Sequence, residues 1–285
     1  MRTHGKGLRP TVTILCGFLG DHRPDEQCIR AAVLVELLHE ATLVHDDVVD
    51  EADMRRGWPS LPAKFKNKVS VLFGDYMLST VLTMTLESRD MRWLDILSDT
   101  ARRLSRGELL QAARAKRVDM TEEDYLKMIG DKTAALFTAA CKLGGITSRL
   151  SDAQIDALGT YGEQLGLAFQ IKDDLLDIFG SGGIIGKPTG GDLKEKKLTL
   201  PLLHILSKVT PREASRIRAR IRRGVKRGEV KEITAMIRDL GGEAYANQTM
   251  ENCRRKAVEA LDSLAPSPAK EELISLTSFA VERRL

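Results

Sequence analysis

Apolar residues recur at three- and four-residue intervals along nearly all of this chain, and stretches that alternate apolar with polar are almost absent. That pattern excludes most sheet architectures, because a half-buried strand needs a period of two. "DEQCIRAAVLVELLHEATLVHDDVVDEAD" carries it clearly, with Ile29, Val33, Leu37 and Ala41 at four-residue steps. Further helices are predicted over "SVLFGDYMLSTVLTMTLES", over residues 92–115 and over "EEDYLKMIGDKTAALFTAACKLGGI". "DAQIDALGTYGEQLGLAFQIKDDLLDIFG" is another, ending at the break "SGGIIGKPTGGD". "TLPLLHILSK" and two or three more amphipathic helices complete the chain. No linker or low-complexity tract divides the 285 residues. One domain, residues 1–285, is therefore expected: an all-α bundle with its most apolar helices inside.

The net charge of +4 suits small anionic substrates and does not call for nucleic acid. The basic stretch "PREASRIRARIRRGVKRGE" keeps Ile217, Ile221 and Val225 at helical spacing, so it reads as an amphipathic helix with a solvated basic face. Cys16, Cys28, Cys141 and Cys253 are scattered without a CxxC pair, which argues against zinc or a disulfide framework and for a reducing cytoplasm. No uninterrupted apolar run reaches the ~18 residues that suggest a membrane span. The opening "MRTHGKGLRP" lacks the order of a signal peptide.

Two acidic clusters stand out against this background. "HDDVVDEAD" and "KDDLLDIFG" each carry Asp-Asp-x-x-Asp with apolar residues between the acids. On a helix, Asp46, Asp47 and Asp50 fall within an arc of about 100°, as do Asp173, Asp174 and Asp177. A solvated acidic turn explains one such cluster. Two, each inside an apolar helix, make sense when a hard divalent cation neutralises them, and Mg²⁺ binds through carboxylates together with substrate phosphates. A di-iron centre would want Glu and Glu-x-x-His, and no such pair is visible. Cations that suit phosphates are spread along the chain: Lys6 and Arg9, Arg55 and Arg56 where the first acidic helix is expected to end at Gly57, then Lys132, Lys187 and Lys197.

With these residues in view, the sequence resembles the trans-isoprenyl diphosphate synthases, the head-to-tail prenyl chain elongation enzymes. The likeness is carried, in order, by "GKGLRP", "ELLHEATLVHDDVVDEADMRRG", "GDYML", "GELLQ", "DKTAALF", "GLAFQIKDDLLD" and "GKPTGGDLKEKKLTLP". It implies the isoprenoid synthase fold, a helical bundle around a deep central apolar cavity. It implies that Asp46, Asp47 and Asp50 bind Mg²⁺ for the allylic diphosphate, and that Asp173, Asp174 and Asp177 complete a cluster of three Mg²⁺ ions. Arg55, Lys132, Thr133, Gln170, Lys187 and Lys197 match positions that contact the allylic substrate, with Lys132 and Lys187 assisting departure of its diphosphate. Lys6, Arg9, His39 and Arg56 match those that grip isopentenyl diphosphate. His45 is read as a core histidine. The implied chemistry is ionisation of the allylic diphosphate, attack by the isopentenyl double bond, and loss of a proton to the released diphosphate.

In this family, bulk one turn before the first motif tends to shorten the product. Those positions are Ala41 and Thr42, roughly 6 to 7.5 Å along the helix from Asp46. Two small residues predict a medium or long all-trans chain, such as a quinone side chain, with geranylgeranyl or farnesyl diphosphate synthesis as the alternative. Two departures and three rivals accompany the resemblance. Two of the rivals are a terpene cyclase, which has no reason to keep Lys6, Arg9 and Arg56, and a head-to-head synthase of the squalene type, which would show different acidic motifs. The family's usual N-terminal helix or helices are expected to be lacking, and Gly7 stands where the motif often has a basic residue. A non-catalytic partner subunit is the rival from outside the enzyme class, although it would have no need for two complete acidic clusters. The expected assembly is a homodimer that hands its product to membrane enzymes.

Overall fold

The computed structural model describes residues 7–55, 57–180 and 190–283, excepting the side chains of residues 115, 116 and 227. It is all-α apart from one short hairpin. Helix α1 covers Leu8–Gly17, α2 Glu26–Val49, α3 Leu61–Glu87, α4 Met91–Arg117 and α5 Glu122–Ile129. A π-helical segment, Gly130–Ala134, leads into α6, Ala135–Thr147, and α7 spans Asp152–Phe179. The short α8 is Gly191–Lys194, followed by α9 Leu200–Lys208, α10 Pro211–Arg222, α11 Arg227–Asp239, α12 Gly242–Ala260 and α13 Pro268–Glu282.

Local chemistry fixes several of these boundaries. Asp25 caps α2 by accepting from the amides of Gln27 at 2.9 Å and Cys28 at 3.2 Å, a contact that stabilises a helix start by about 1 kcal/mol. Capping boxes start α5 at Thr121 and α10 at Thr210. Four helices follow α9 rather than two or three, because Gly224 and Gly241, both with positive φ, break the expected helices. The first acidic helix also ends earlier than expected. Asp50 is already its C-cap, and the chain then forms a hairpin in which β1, Met54–Arg55, pairs antiparallel with β2, Trp58–Pro59, around Gly57.

The chain divides into two compact units. The first comprises Met1–Thr100, Leu136–Gly159 and Ser263–Glu271. Within it α2 packs against α1 and α3, and Leu34, Val35, Leu38, Phe137, Leu143 and Leu158 are buried. The second comprises Ala101–Ala135, Thr160–Asp262 and Glu272–Leu285. Its core joins Ile171, Leu175 and Ile178 of α7 to Leu202 and Ile205 of α9, Ile217 and Ile221 of α10, and Ile233 and Ile237 of α11. Burial of Ile217 and Ile221 is what an amphipathic α10 requires. The four cysteines are free and buried.

One helix departs from expectation in its surface. α3 kinks at Lys66 and then exposes Val69, Leu72, Phe73, Tyr76, Leu82 and Leu86. By length and composition alone it is long and apolar enough to cross a membrane, with 22% of the qualifying window buried. Counting only uninterrupted apolar runs overlooked it, because Asp75 and several hydroxyl residues break the run without lowering the average enough.

Candidate active site

In the first unit, α2 carries the first acidic motif at its C-terminal end. The middle acid, Asp47, is buried, Asp46 is half-buried and Asp50 is exposed. An i, i+4 pair diverges by only about 40°, whereas the intervening acid turns about 100° away, so the three need not share one environment. Arg55 donates to Asp47 Oδ1 from both Nε and a terminal nitrogen, each at 2.6 Å. The hairpin sets that approach, with Arg55 opposite Trp58 and the Ala52 amide bonded to the Asp47 carbonyl at 3.0 Å. Arg55 is thus paired with a motif carboxylate in this structure.

Arg9 on α1 donates to His39 Nε2 at 3.1 Å and stacks its guanidinium 4.7 Å from the centre of the Phe137 ring. A guanidinium only donates, so in this contact Nε2 accepts and His39 orients Arg9. Ala41 is fully buried, and Thr42 is half-buried with its hydroxyl donating to the His39 carbonyl at 2.7 Å. His45 lies against Gly74 and reaches Asp75 at 3.4 Å. Lys6, Arg56 and Lys187 lie outside the described residues.

In the second unit, Lys132, Thr133, Gln170, Asp174 and Lys197 line one open cleft of about 120 Å³. Thr133 donates to Gln170 at 2.7 Å, Gln170 donates to Asp174 Oδ1 at 2.9 Å, and buried Tyr125 donates to Asp174 Oδ2 at 2.7 Å. Asp177 accepts from the amides of Gly191 at 3.1 Å and Asp192 at 3.0 Å, anchoring the start of α8. Asp173, on the other side of Asp174 in sequence, is 42% exposed in its side chain. Lys132 lies on the π-helical segment and pairs with Glu108 of α4. Gly107 permits that closeness, since a methyl group there would come within 2.8 Å of the Lys132 amide nitrogen and 3.1 Å of its Cα. Beneath it, Asp131 is held by Arg103 at 3.2 Å and Arg106 at 2.5 Å, with Arg103 also reaching Glu163 at 2.8 Å.

Carboxyl groups crowd around α7 and α8. Burial, then the charge of Asp192, pushes Asp174 up to about 8, against the opposing hydrogen bonds from Tyr125 and Gln170. Burial, then the charge of Asp177, pushes Asp192 up to about 7, which Lys197 partly offsets. No three His, Cys, Asp or Glu side chains converge as a metal cage among the described residues. Crowded carboxylates are the oxygen donors that a hard divalent cation takes.

Sequence reasoning passed over several cleft residues: Gln111, Arg114, Asp192, Lys196 and Thr199. All but Arg114 lie in segments already singled out, "GELLQ" and "GKPTGGDLKEKKLTLP", so proximity to a motif was the available signal. Nothing in the sequence marked Tyr125 as the partner of Asp174.

An all-α chain with two acidic helix motifs and a cation-lined cleft defines a class, and the comparisons with known proteins agree: the family model for polyprenyl synthetase matches residues 1–237, and the chain belongs to that family. Among its relatives is the octaprenyl diphosphate synthase of Escherichia coli K12, 38% identical over 279 residues that cover 98% of this chain and 86% of the relative. A decaprenyl diphosphate synthase structure from Rhodobacter capsulatus superposes with a TM-score of 0.92 at 36% identity, covering 98% of this chain and 86% of that one. A polyprenyl synthase from Caulobacter crescentus CB15, solved with calcium and isoprenyl diphosphate, gives 0.90 at 35%, covering 99% and 86%.

Proposed function

We propose that this chain is a medium- or long-chain trans-polyprenyl diphosphate synthase that condenses isopentenyl diphosphate with an allylic prenyl diphosphate. The observation that carries the reading is the cleft of the second unit. It gathers Lys132 and Thr133, Gln170 and Asp174, and Lys197, which come from three separate stretches of sequence, beside the apolar Met120, Met128, Ile129 and Leu198. Cations beside apolar walls are what a prenyl diphosphate presents in mirror image. The octaprenyl and decaprenyl products in the names of similar proteins favour a longer chain.

The six motif carboxylates divide by environment. Asp46, Asp50 and Asp173 serve as the principal Mg²⁺ ligands. Asp47, Asp174 and Asp177 are held by Arg55, by Tyr125 and Gln170, and by the amides that start α8, and build the surroundings of those ligands. When bound, Mg²⁺ supplies positive charge that stabilises the departing diphosphate. Lys132 and Lys197 add positive charge on that group, with Lys187 and Arg55 as their proposed companions. Thr133 and Gln170 hold Asp174 in place. Arg9, steadied by His39 and Phe137, takes the diphosphate of isopentenyl diphosphate, with Lys6 and Arg56 as its proposed companions. The apolar cleft wall keeps water from the allylic cation, and the final proton leaves on the released diphosphate.

The same reading proposes a cytoplasmic homodimer. Its support is the exposed apolar ridge of α3, continued by Ile29 and Val33 of α2, which a second copy would cover. Sedimentation that returns a monomer at micromolar concentration would contradict it.

The experiment is incubation of the purified chain with Mg²⁺, radiolabelled isopentenyl diphosphate and farnesyl diphosphate, with products resolved by chromatography. Products longer than geranylgeranyl diphosphate are expected. A product that stops at geranylgeranyl overturns the chain length, and turnover only after a second protein is added would make the chain a partner subunit.

A further inference from the structure

We propose that Arg283 is a positioning residue for Asp173, fixing that carboxylate for Mg²⁺ and diphosphate; the inference rests on the function proposed above. Arg283 follows α13 directly, yet its side chain is only 8% exposed. It donates to the Ala280 carbonyl at 3.0 Å and to the Phe169 carbonyl at 2.8 Å, and its guanidinium lies 3.8 Å from the centre of the Phe169 ring. Its remaining terminal nitrogen meets Asp173 Oδ1 at 2.9 Å. Phe169 and Asp173 are four residues apart on α7, so one guanidinium spans a single turn of the helix that carries the second motif.

The order of dependence matters here. Two backbone carbonyls and an aromatic face hold the guanidinium whether or not Asp173 is present. The fold therefore sets where the arginine stands, and the carboxylate adapts to it. An ordinary exposed ion pair contributes little because both partners move. This one has a fixed donor and a half-exposed acceptor, the arrangement in which a neighbour selects the rotamer of a ligand. A carboxylate offers about four lone-pair sites, so the Arg283 contact takes one of them and sets the orientation of Asp173. Groups that orient a metal ligand in this way typically change metal affinity or activity by about 10- to 100-fold when removed. A purely structural arginine, tying α13 to α7, would be satisfied by the carbonyls and the ring.

The test compares the full-length protein with Arg283→Gln and Arg283→Lys. Calorimetry measures the affinity for Mg²⁺ with inorganic diphosphate, kinetics give the Mg²⁺ half-saturation and the KM for isopentenyl diphosphate, and thermal melting reports folding. We expect Arg283→Gln to weaken metal–diphosphate binding about tenfold and to raise the Mg²⁺ requirement in parallel. At saturating metal the KM for isopentenyl diphosphate should change less than about twofold, because the effect is confined to the metal side. Arg283→Lys keeps the charge but not the fork, so it should weaken binding by a smaller factor, and it serves as the measurement if the glutamine variant does not fold. Unchanged or tighter metal–diphosphate binding in a folded variant overturns the proposal. If the unaltered protein neither binds Mg²⁺ with diphosphate nor turns over, the proposed function fails first and this inference falls with it; normal behaviour of the unaltered protein with indifferent variants removes the inference alone.

Discussion

At the scale of single residues, the same aspartate serves different ends according to what surrounds it. Asp131 shows this outside the acidic motifs. Burial alone would raise its pKa, but hydrogen bonds from Arg106 and Arg103 outweigh burial and hold the carboxyl below its ordinary value. A folded-state pKa below the unfolded one, about 3.9, means the carboxylate stabilises the fold above that pH. The contribution is lost as pH falls through the folded-state value. Asp131→Asn should lower the unfolding free energy by about 2 to 3 kcal/mol at pH 7, less than a fully buried pair would cost because Arg106 is 44% exposed. Denaturant titrations should show that gap shrinking towards pH 3; a gap independent of pH would mean the pairing is not its source. Motif spacing singled out Asp46 and Asp174 as candidate ligands, and the family resemblance singled out Lys132 and Lys197 as candidate cations. The sequence could not announce that Asp47 binds Arg55 or that Asp174 binds Tyr125, because those partners meet through a hairpin and a helix crossing.

At the scale of elements, helical periodicity disclosed nearly every helix but not its irregularities. Residues 122–146 read as one continuous helix, and the structure inserts the π-helical segment Gly130–Ala134 within it. Such a segment widens a turn and is frequent at functional sites. Apolar residues are so dense around it, from Met128 and Ile129 to Phe137, that the altered phase leaves no trace in the pattern. The segment places Lys132 against α4, where Gly107 gives it room. Gly107→Ala should therefore displace Lys132 by a few tenths of an ångström or more. The expected outcome is a KM for the allylic substrate raised about tenfold, well within what a misplaced binding group can cause, together with a lower melting temperature, because the atoms that must give way are backbone. Wild-type kinetics would show that the close approach does not govern the site.

At the scale of the molecule, the all-α architecture and membership of the polyprenyl synthetase family were legible in the sequence, because motif order survives where contacts are invisible. The exposed ridge of α3 was not, since an apolar face turned to solvent and one turned to a core have the same periodicity. Product length belongs to this scale too. Ala41 is fully buried, so Ala41→Phe should shorten the product and also cost about 1 to 3 kcal/mol through overpacking. Product chromatography beside a thermal melt separates the two effects, and unchanged chain length in a folded variant would remove Ala41 from the length-setting wall. The central claim is that the acidic motifs act through a divalent cation. Its most direct measurement strips the protein with EDTA, titrates Mg²⁺ back, and follows labelled isopentenyl diphosphate incorporation beside Asp46→Asn and Asp173→Asn. Incorporation should vanish without metal, return with Mg²⁺, and fall by about a hundredfold or more in each variant; incorporation that survives chelation, or a full rate in either variant, would contradict the account.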